Sequence, residues 1–248
     1  MTRLVVTGVT LRPGRMRVPA AAARHARVAR VRPGEPIELL DLEGAVASGR
    51  LVGWDGGACE VDIAIVDYGR GEPPAPLVLA LGVLHTEAFS WAVEKATELG
   101  ATVIQPVLCE RVQRRDHGGR SERWRRVVMA AVAQCGRSRA PAVAEPLPLA
   151  DVCGHAVGVR LVADPGGADG SLPPPEPGEG ATVLVGPEGG FSPAEVEVIR
   201  SSGFAHLWLG PRTLRAETAA VAALTLAQQH LGWLSGAGVR LACPPRQD

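Results

Sequence analysis

Residues 181–231 read ATVLVGPEGGFSPAEVEVIRSSGFAHLWLGPRTLRAETAAVAALTLAQQHL, and this stretch decides the fold class. An apolar, β-branched run from Thr182 to Val185 breaks at Gly186-Pro187, and Ser192-Pro193-Ala194-Glu195 follows. The serine hydroxyl can accept the amide three residues on, the glutamate can return the bond, and proline suits the first helical position, so a helix starts at Ser192. Gly203 ends it. A further strand, His206 to Leu209, leads through a loop into a last helix, Glu217 to Leu231. Strand, helix, strand and helix in close succession imply parallel strands joined by crossover helices, an α/β fold.

The same texture extends upstream. An apolar strand from Leu77 to Leu84 precedes a helix from Glu87 to Leu99, capped by Thr86 and closed by Gly100. A strand at Thr102 to Val107, an arginine-rich helix from about Ser121 to Cys135 and a strand at Val157 to Ala163 follow. Before all of these, Gly69 to Pro76 (GRGEPPAP) reads as a linker, since its prolines and glycines continue neither strand nor helix. The chain preceding it carries short β-type runs, Leu4 to Val9, Pro36 to Leu40, Ala45 to Val52 and Ala58 to Val66, separated by turn residues, which suggests a small β-barrel. The expected organisation is an N-terminal domain over 1–72, the end of a linker at 73–76, an α/β domain over 77–234 and a loose tail over 235–248.

The chain has 248 residues, 46% of them apolar, enough for one large or two modest cores. No apolar run reaches the roughly 18 residues of a membrane span, and the apolar stretch at the N-terminus is too short for a signal peptide, so the cytoplasm is the expected compartment. Five cysteines lie scattered without a C-x-x-C pair, and no second ligand is spaced to share a metal with His25, so no metal site is expected. The 26 basic and 26 acidic side chains cancel overall, but not locally. Eight arginines, among them Arg24, Arg27 and Arg30, precede the first acidic residue, Glu35. A second cluster from Arg111 to Arg139, including Arg123, Arg126 and Arg137, is opposed within its span only by Asp116 and Glu122. Two arginine clusters in a neutral chain make RNA the leading partner, against the blander reading of solvated faces.

Two segments carry candidate chemistry: Gly186-Pro187-Glu188-Gly189-Gly190-Phe191-Ser192, and Leu209-Gly210-Pro211-Arg212-Thr213-Leu214-Arg215-Ala216-Glu217-Thr218-Ala219. Both follow parallel strands, where open α/β sheets bind ligands, and glycine lets backbone amides approach a small molecule. No G-x-x-x-x-G-K-[ST] or G-x-G-x-x-G occurs, and Glu188 would repel an anion. A neutral or cationic ligand fits better, and S-adenosylmethionine (SAM), with uncharged adenosine and a positive sulfonium, meets that requirement.

These two segments resemble the signature motifs of the bacterial 16S ribosomal RNA uridine methyltransferases of the RsmE family, members of the SPOUT or trefoil-knot class. Glu94-Lys95-Ala96-Thr97-Glu98-Leu99-Gly100 is similar to the family's K-A-T-E-L-G segment, and Ala133-Gln134-Cys135-Gly136-Arg137 with Pro141 to its E-Q-x-G-R-x-x-x-P segment. His25, Val28, Arg30 and Gly34 resemble the N-terminal H-x-x-x-V-L-R-x-x-x-G-D pattern. Ala133 replaces a common glutamate, Ala29 a leucine, and His85 stands near a common lysine. The resemblance implies a PUA-like RNA-binding barrel, a deep trefoil knot, an obligate homodimer, and methyl transfer from SAM to N3 of one uridine in 16S rRNA. The residues by themselves favour an unknotted sheet, because true knots are essentially absent among folds.

On that reading Gly186, Pro187, Glu188, Gly189, Gly190, Leu209, Gly210, Leu214, Arg215, Thr218 and Ala219 hold SAM. Arg215 stabilises a uracil carbonyl oxygen, and Glu217 orients that arginine or contacts the cofactor. Arg24, His25, Arg27, Arg30, Arg123, Arg126, Gln134 and Arg137 are the candidate RNA contacts. Helix capping is the competing role for Glu217 and Thr218, a salt bridge for Arg215, and bracing for Gln134 and Arg137. Two other functions stay open: a SPOUT methyltransferase acting on tRNA or 23S rRNA, including 2′-O transfer, and a non-catalytic RNA-binding protein. The charge-free helix from Ala219 to Leu231 has no face meant for water, which a partner subunit or the chain's own sheet would cover.

Overall fold

A computed structural model of the chain describes residues 1–112, 120–164 and 172–234. The expected tail at 235–248 lies outside the described residues, as do Arg114 and Arg115 of the second cluster.

The N-terminal part of the architecture comprises β1 (Thr2–Val5), β2 (Gly14–Val18), α1 (Ala20–Val28), β3 (Pro36–Leu40), β4 (Ala45–Asp55) and β5 (Ala58–Tyr68). The strands form one sheet in the order β1-β3-β4-β5-β2, with β1 and β3 parallel and the other pairs antiparallel. The long β4–β5 ribbon turns at Gly56 and Gly57, which hold φ of 52° and 103°. Side chains resist that backbone, so glycine is the residue the turn requires. β1 and β2 are the two edges, and no ladder among the described residues joins them, so the sheet is open where a small closed barrel was expected. The apolar face is covered instead by α1, whose Ala23 and Ala26 are buried against the sheet core. The β-type runs could not reveal this helix, because Ala20–Val28 lies in the gap between them.

After Gly69 come β6 (Leu77–Gly82), α2 (Thr86–Glu98), β7 (Val103–Leu108), α3 (Arg120–Cys135), β8 (Ala142–Val143), β9 (Leu147–Pro148), α4 (Leu149–Gly154), β10 (Val159–Ala163), β11 (Ala181–Val185), α5 (Pro193–Ser201), β12 (Ala205–His206) and α6 (Ala216–His230). Their sheet runs β12-β10-β11-β6-β7-β8, with β9 also on β7, and every pairing is parallel. This is the expected α/β sheet. β6 and β11 are neighbours in it, yet β6 connects through α2 to β7 on one side while β11 connects through α5 to β12 on the other. Connections that diverge from adjacent strands open a crevice at the strands' carboxyl ends, the usual place for a ligand.

The capping box forms at α5 as its sequence requires. Ser192 Oγ accepts from the Glu195 amide at 3.3 Å, and Glu195 accepts from the Ser192 amide at 2.8 Å. At α2 the start differs from the expected one, since Thr86 is the first helical residue and His85, the N-cap, makes no side-chain cap. α6 starts at Ala216 with Arg215 as N-cap and no side-chain cap. Its Ala219, Ala220, Ala223, Leu224 and Ala227 are buried in the chain's own core, while Val221, Ala222, Thr225 and Leu226 stay wholly or partly exposed.

The two sheets meet across the expected linker, which is tied down rather than loose. Glu72 accepts from the Arg137 Nη2 at 2.7 Å, from the Ser138 hydroxyl at 3.3 Å and from the Arg139 amide at 2.8 Å. Nearby, the buried Glu38 carboxylate accepts from Arg3 at 2.9 Å and Arg70 at 2.7 Å, and Arg3 also bonds the Gln134 carbonyl of α3. Leu40 and Val46 of the first sheet belong to the main core of the second.

Candidate active site

Strand ends and two loops build a cavity of about 670 Å³. That volume lies within the range of small-molecule sites. β11 leads into Gly186-Pro187, and the Gly190 amide bonds back to the Pro187 carbonyl at 2.8 Å, a turn that Gly190 completes at φ 67°. The following residues are anchored from outside. Glu195 Oε1 accepts from the Glu110 amide at 2.7 Å, and Arg111 Nη1 donates to the Gly189 carbonyl at 3.2 Å. The chain leaving β7 therefore clamps the loop leaving β11. On the other flank, a Cβ on Gly82 would stand 2.5 Å from the Pro187 nitrogen, so β6 presses its bare backbone against the same loop.

The second loop leaves β12 after the Leu207 amide bonds to the Val162 carbonyl at 2.8 Å. It turns at Gly210, φ 96°, and returns as the N-terminus of α6. No hydrogen bond among the described residues uses the backbone amides of Leu209, Gly210 or Leu214. These donors belong to partly buried residues that line the cavity, and they are available to a ligand.

Of the residues expected to hold a ligand, Gly186, Pro187, Glu188, Gly190, Leu209, Gly210, Leu214, Arg215 and Ala219 line this cavity, and Glu217 lines it with them. Gly189 does not: it faces Arg111, where a Cβ would meet that residue at 3.1 Å. Thr218 does not either, because it projects from the outer face of α6 while its neighbour Ala219 turns inward. Residues that motif reading missed add to the wall: His85 after β6, Asp164 after β10, and His206 and Trp208 at and just after β12. Their common signal was position, since each stands at or just beyond the carboxyl end of a parallel strand. The His206 ring bonds the Asp164 carbonyl and ties two strand ends together. His85 donates its amide to Glu188 at 3.5 Å, a long bond that draws the carboxylate toward β6.

An RNA methyltransferase domain matches residues 71–228, most of the chain. The chain belongs to the RNA methyltransferase family. Among its curated relatives, a ribosomal RNA small subunit methyltransferase E from Mesomycoplasma hyopneumoniae is 32% identical over 63% of this chain and 71% of its own length. One of the same name from Synechocystis is 31% identical over 80% of this chain and 67% of its own length. A crystal structure of a ribosomal RNA small subunit methyltransferase E from Neisseria gonorrhoeae, bound to S-adenosyl methionine, superposes with a TM-score of 0.81 at 31% identity, over 92% of this chain and 97% of the other.

The methyltransferase keeps most of its expected RNA contacts at the surface. Arg24, His25, Arg27 and Arg30 are exposed on and after α1, and Arg27 lies 5.2 Å over the Trp54 ring, a cation–π distance. Arg123, Arg126 and Gln134 are exposed on α3, where Trp124 between the arginines packs on Phe89 with ring centroids 4.5 Å apart. Arg137 is the correction. It is 3% exposed and gives its guanidinium to Glu72 and to the Thr97 and Ala101 carbonyls at 2.9 and 2.8 Å, so it braces the end of α2 and offers RNA nothing. No group of His, Cys, Asp and Glu among the described residues is placed to hold a metal. Burial pushes the Cys109 thiol up to about 12, helped by the nearby Glu195 charge. A thiol so raised is no nucleophile at neutral pH.

Proposed function

We propose that the chain transfers a methyl group from SAM to N3 of one uridine in 16S ribosomal RNA. The observation that carries this reading is the meeting of the two glycine-bearing loops in one cavity, in a chain whose relatives are named small-subunit ribosomal RNA methyltransferases. The cavity suits SAM. Free backbone amides and apolar walls can take the adenosine, and Glu188 and Glu217 supply negative charge for a sulfonium. Bound there, SAM supplies a methyl group on positive sulfur.

The chain's own residues must make a neutral uracil reactive. N3 carries a proton, and its loss spreads negative charge onto the flanking carbonyl oxygens. Arg215, exposed at the cavity wall and fixed at the N-cap of α6, is placed to stabilise that charge, while Glu217, which lines the same wall without bonding Arg215, is left to contact the cofactor. Closing the cavity with RNA excludes water and strengthens both interactions.

The wider reading takes 1–72 as a PUA-like RNA-binding domain, 73–76 as the end of a linker, and 77–234 as a SPOUT domain with a trefoil knot, followed by a tail at 235–248. The insertion of β11 between β6 and β10 and the seating of α6 against α2 and β11 are consistent with such a domain. The apolar outer face of α6 supports a homodimer, and the cytoplasm is where its RNA is found. No helix among the described residues is long and apolar enough to cross a membrane.

The test is methyl transfer from labelled SAM to 16S rRNA, small subunits, 23S rRNA and tRNA in parallel. Label in the small-subunit RNA alone is expected, and Arg215→Ala should lower kcat by about 100-fold or more while RNA binding holds. Label in 23S rRNA or tRNA instead would reassign the substrate. Binding of RNA without transfer would leave a non-catalytic protein.

A further inference from the structure

One large side chain at the cavity rim stands outside the hydrophobic cores. Trp208 is 50% exposed, whereas its neighbours Leu207 and Leu209 both pack into the main core. Trp208 lines the cavity together with those leucines, and half of its surface stays open to solvent, so the core does not enclose its ring. Gly210 then turns the chain, and Arg212 folds back until its Nη2 lies 3.7 Å from where a Cβ on Gly210 would be. Arg212 and Arg215 are both exposed at this rim, and neither forms an ion pair among the described residues. A flat apolar ring beside two unpaired guanidinium groups has the chemistry of a nucleotide subsite, with a face for a base and forks for a phosphate.

We propose that Trp208 is the platform on which the methyl-accepting uracil stacks, with Arg212 holding the phosphate of the same nucleotide. The proposal rests on the reading of an RNA uracil as substrate. N3 lies on the pairing edge of uracil, so the base must leave its pairs and stack before that atom can be reached. A new stack on Trp208 offsets part of the cost. Because Trp208 lines the same cavity as the two loops, a base lying on its half-exposed ring sits at the cavity mouth rather than elsewhere along the RNA.

The test compares Trp208→Ala and Trp208→Phe with the wild-type protein on small-subunit RNA, with SAM calorimetry and sedimentation on the same samples. Trp208→Ala should raise KM for RNA about 5- to 150-fold, the value of one base–aromatic stack, and Trp208→Phe should restore most of it. SAM affinity and sedimenting mass should not change. A second readout needs no variant: RNA carrying 5-iodouridine at the mapped methylation position should cross-link to Trp208 of the wild-type protein on irradiation. An unchanged KM overturns the proposal, as does a cross-link to another residue. So does a loss of SAM affinity, which would make Trp208 part of the SAM site, or a change in mass, which would place it under a second copy of the chain. If the wild-type protein methylates no RNA, the functional reading fails with it; if it does and Trp208→Ala matches it, the platform alone fails.

Discussion

Gly82 shows how a single residue shapes the site through a missing atom. Its φ is not left-handed, so alanine would be tolerated by the backbone itself, but a Cβ would press on the Pro187 nitrogen and ring at 2.5 and 2.6 Å. Backbone cannot yield as a side-chain tip does, so the Gly186-Pro187 turn must move. Gly82→Ala should weaken SAM binding about tenfold or more, roughly 1.4 kcal/mol, with the fold retained. Calorimetry on the purified variant checks this, and wild-type affinity would contradict it. Nothing near Gly82 in the sequence marks the constraint, because its partner is distant along the chain. The two signature loops were legible for the opposite reason, since each writes its chemistry in consecutive residues. His85, Asp164, His206 and Trp208 were not, because separate strand ends assemble them in space.

Among the elements, α5 was readable from its capping box, while α1 was hidden between β-type runs although four consecutive alanines favour a helix. Packing, not propensity, settles where β1 and α3 meet. Burial opposes the charge of Glu38 there, but the hydrogen bonds and charges of Arg70 and Arg3 outweigh it and hold the carboxyl below the usual carboxylate range. A folded value below the unfolded one stabilises the protein above the unfolded value, and that contribution is lost as pH falls through the folded one. Stability should therefore drop on acidification below about pH 4 more steeply in the wild type than in Glu38→Gln. At pH 7 the variant should be less stable by about 1–3 kcal/mol, since two arginines lose their partner. Urea unfolding across pH measures both, and parallel pH profiles would remove Glu38 from the account.

The outer face of α6 makes a second prediction for an element. Val221 and Ala222 are half-buried and Leu226 is exposed, and a homodimer would cover all three. Leu226→Asp should shift the protein toward monomer in sedimentation at low concentration; an unaltered dimer would move the interface elsewhere.

For the whole molecule, strand content and the α/β class were legible, but the open edge of the first sheet was not. Strand periodicity records which face is buried, whereas a barrel depends on pairing β1 with β2, and no local pattern encodes that pairing. The same holds for any knot. What the layout does provide is a division between exposed arginines on α1 and α3 and the cavity at the strand ends. If α1 contacts phosphates, changing Arg24, Arg27 and Arg30 together to alanine should flatten the plot of log RNA affinity against log salt by about 0.7–0.9 per lost contact, leaving SAM affinity unchanged. An unaltered slope would make the cluster a solvated face.

The central claim is that this cavity directs a methyl group to N3 of a small-subunit uridine. It is tested most directly by digesting the methylated 16S rRNA to nucleosides and identifying the product by mass spectrometry against synthetic standards. The account predicts 3-methyluridine, one per RNA molecule, dependent on both SAM and Arg215. A 2′-O-methylated nucleoside, a methylated base other than uracil, or no methylated nucleoside at all would contradict it.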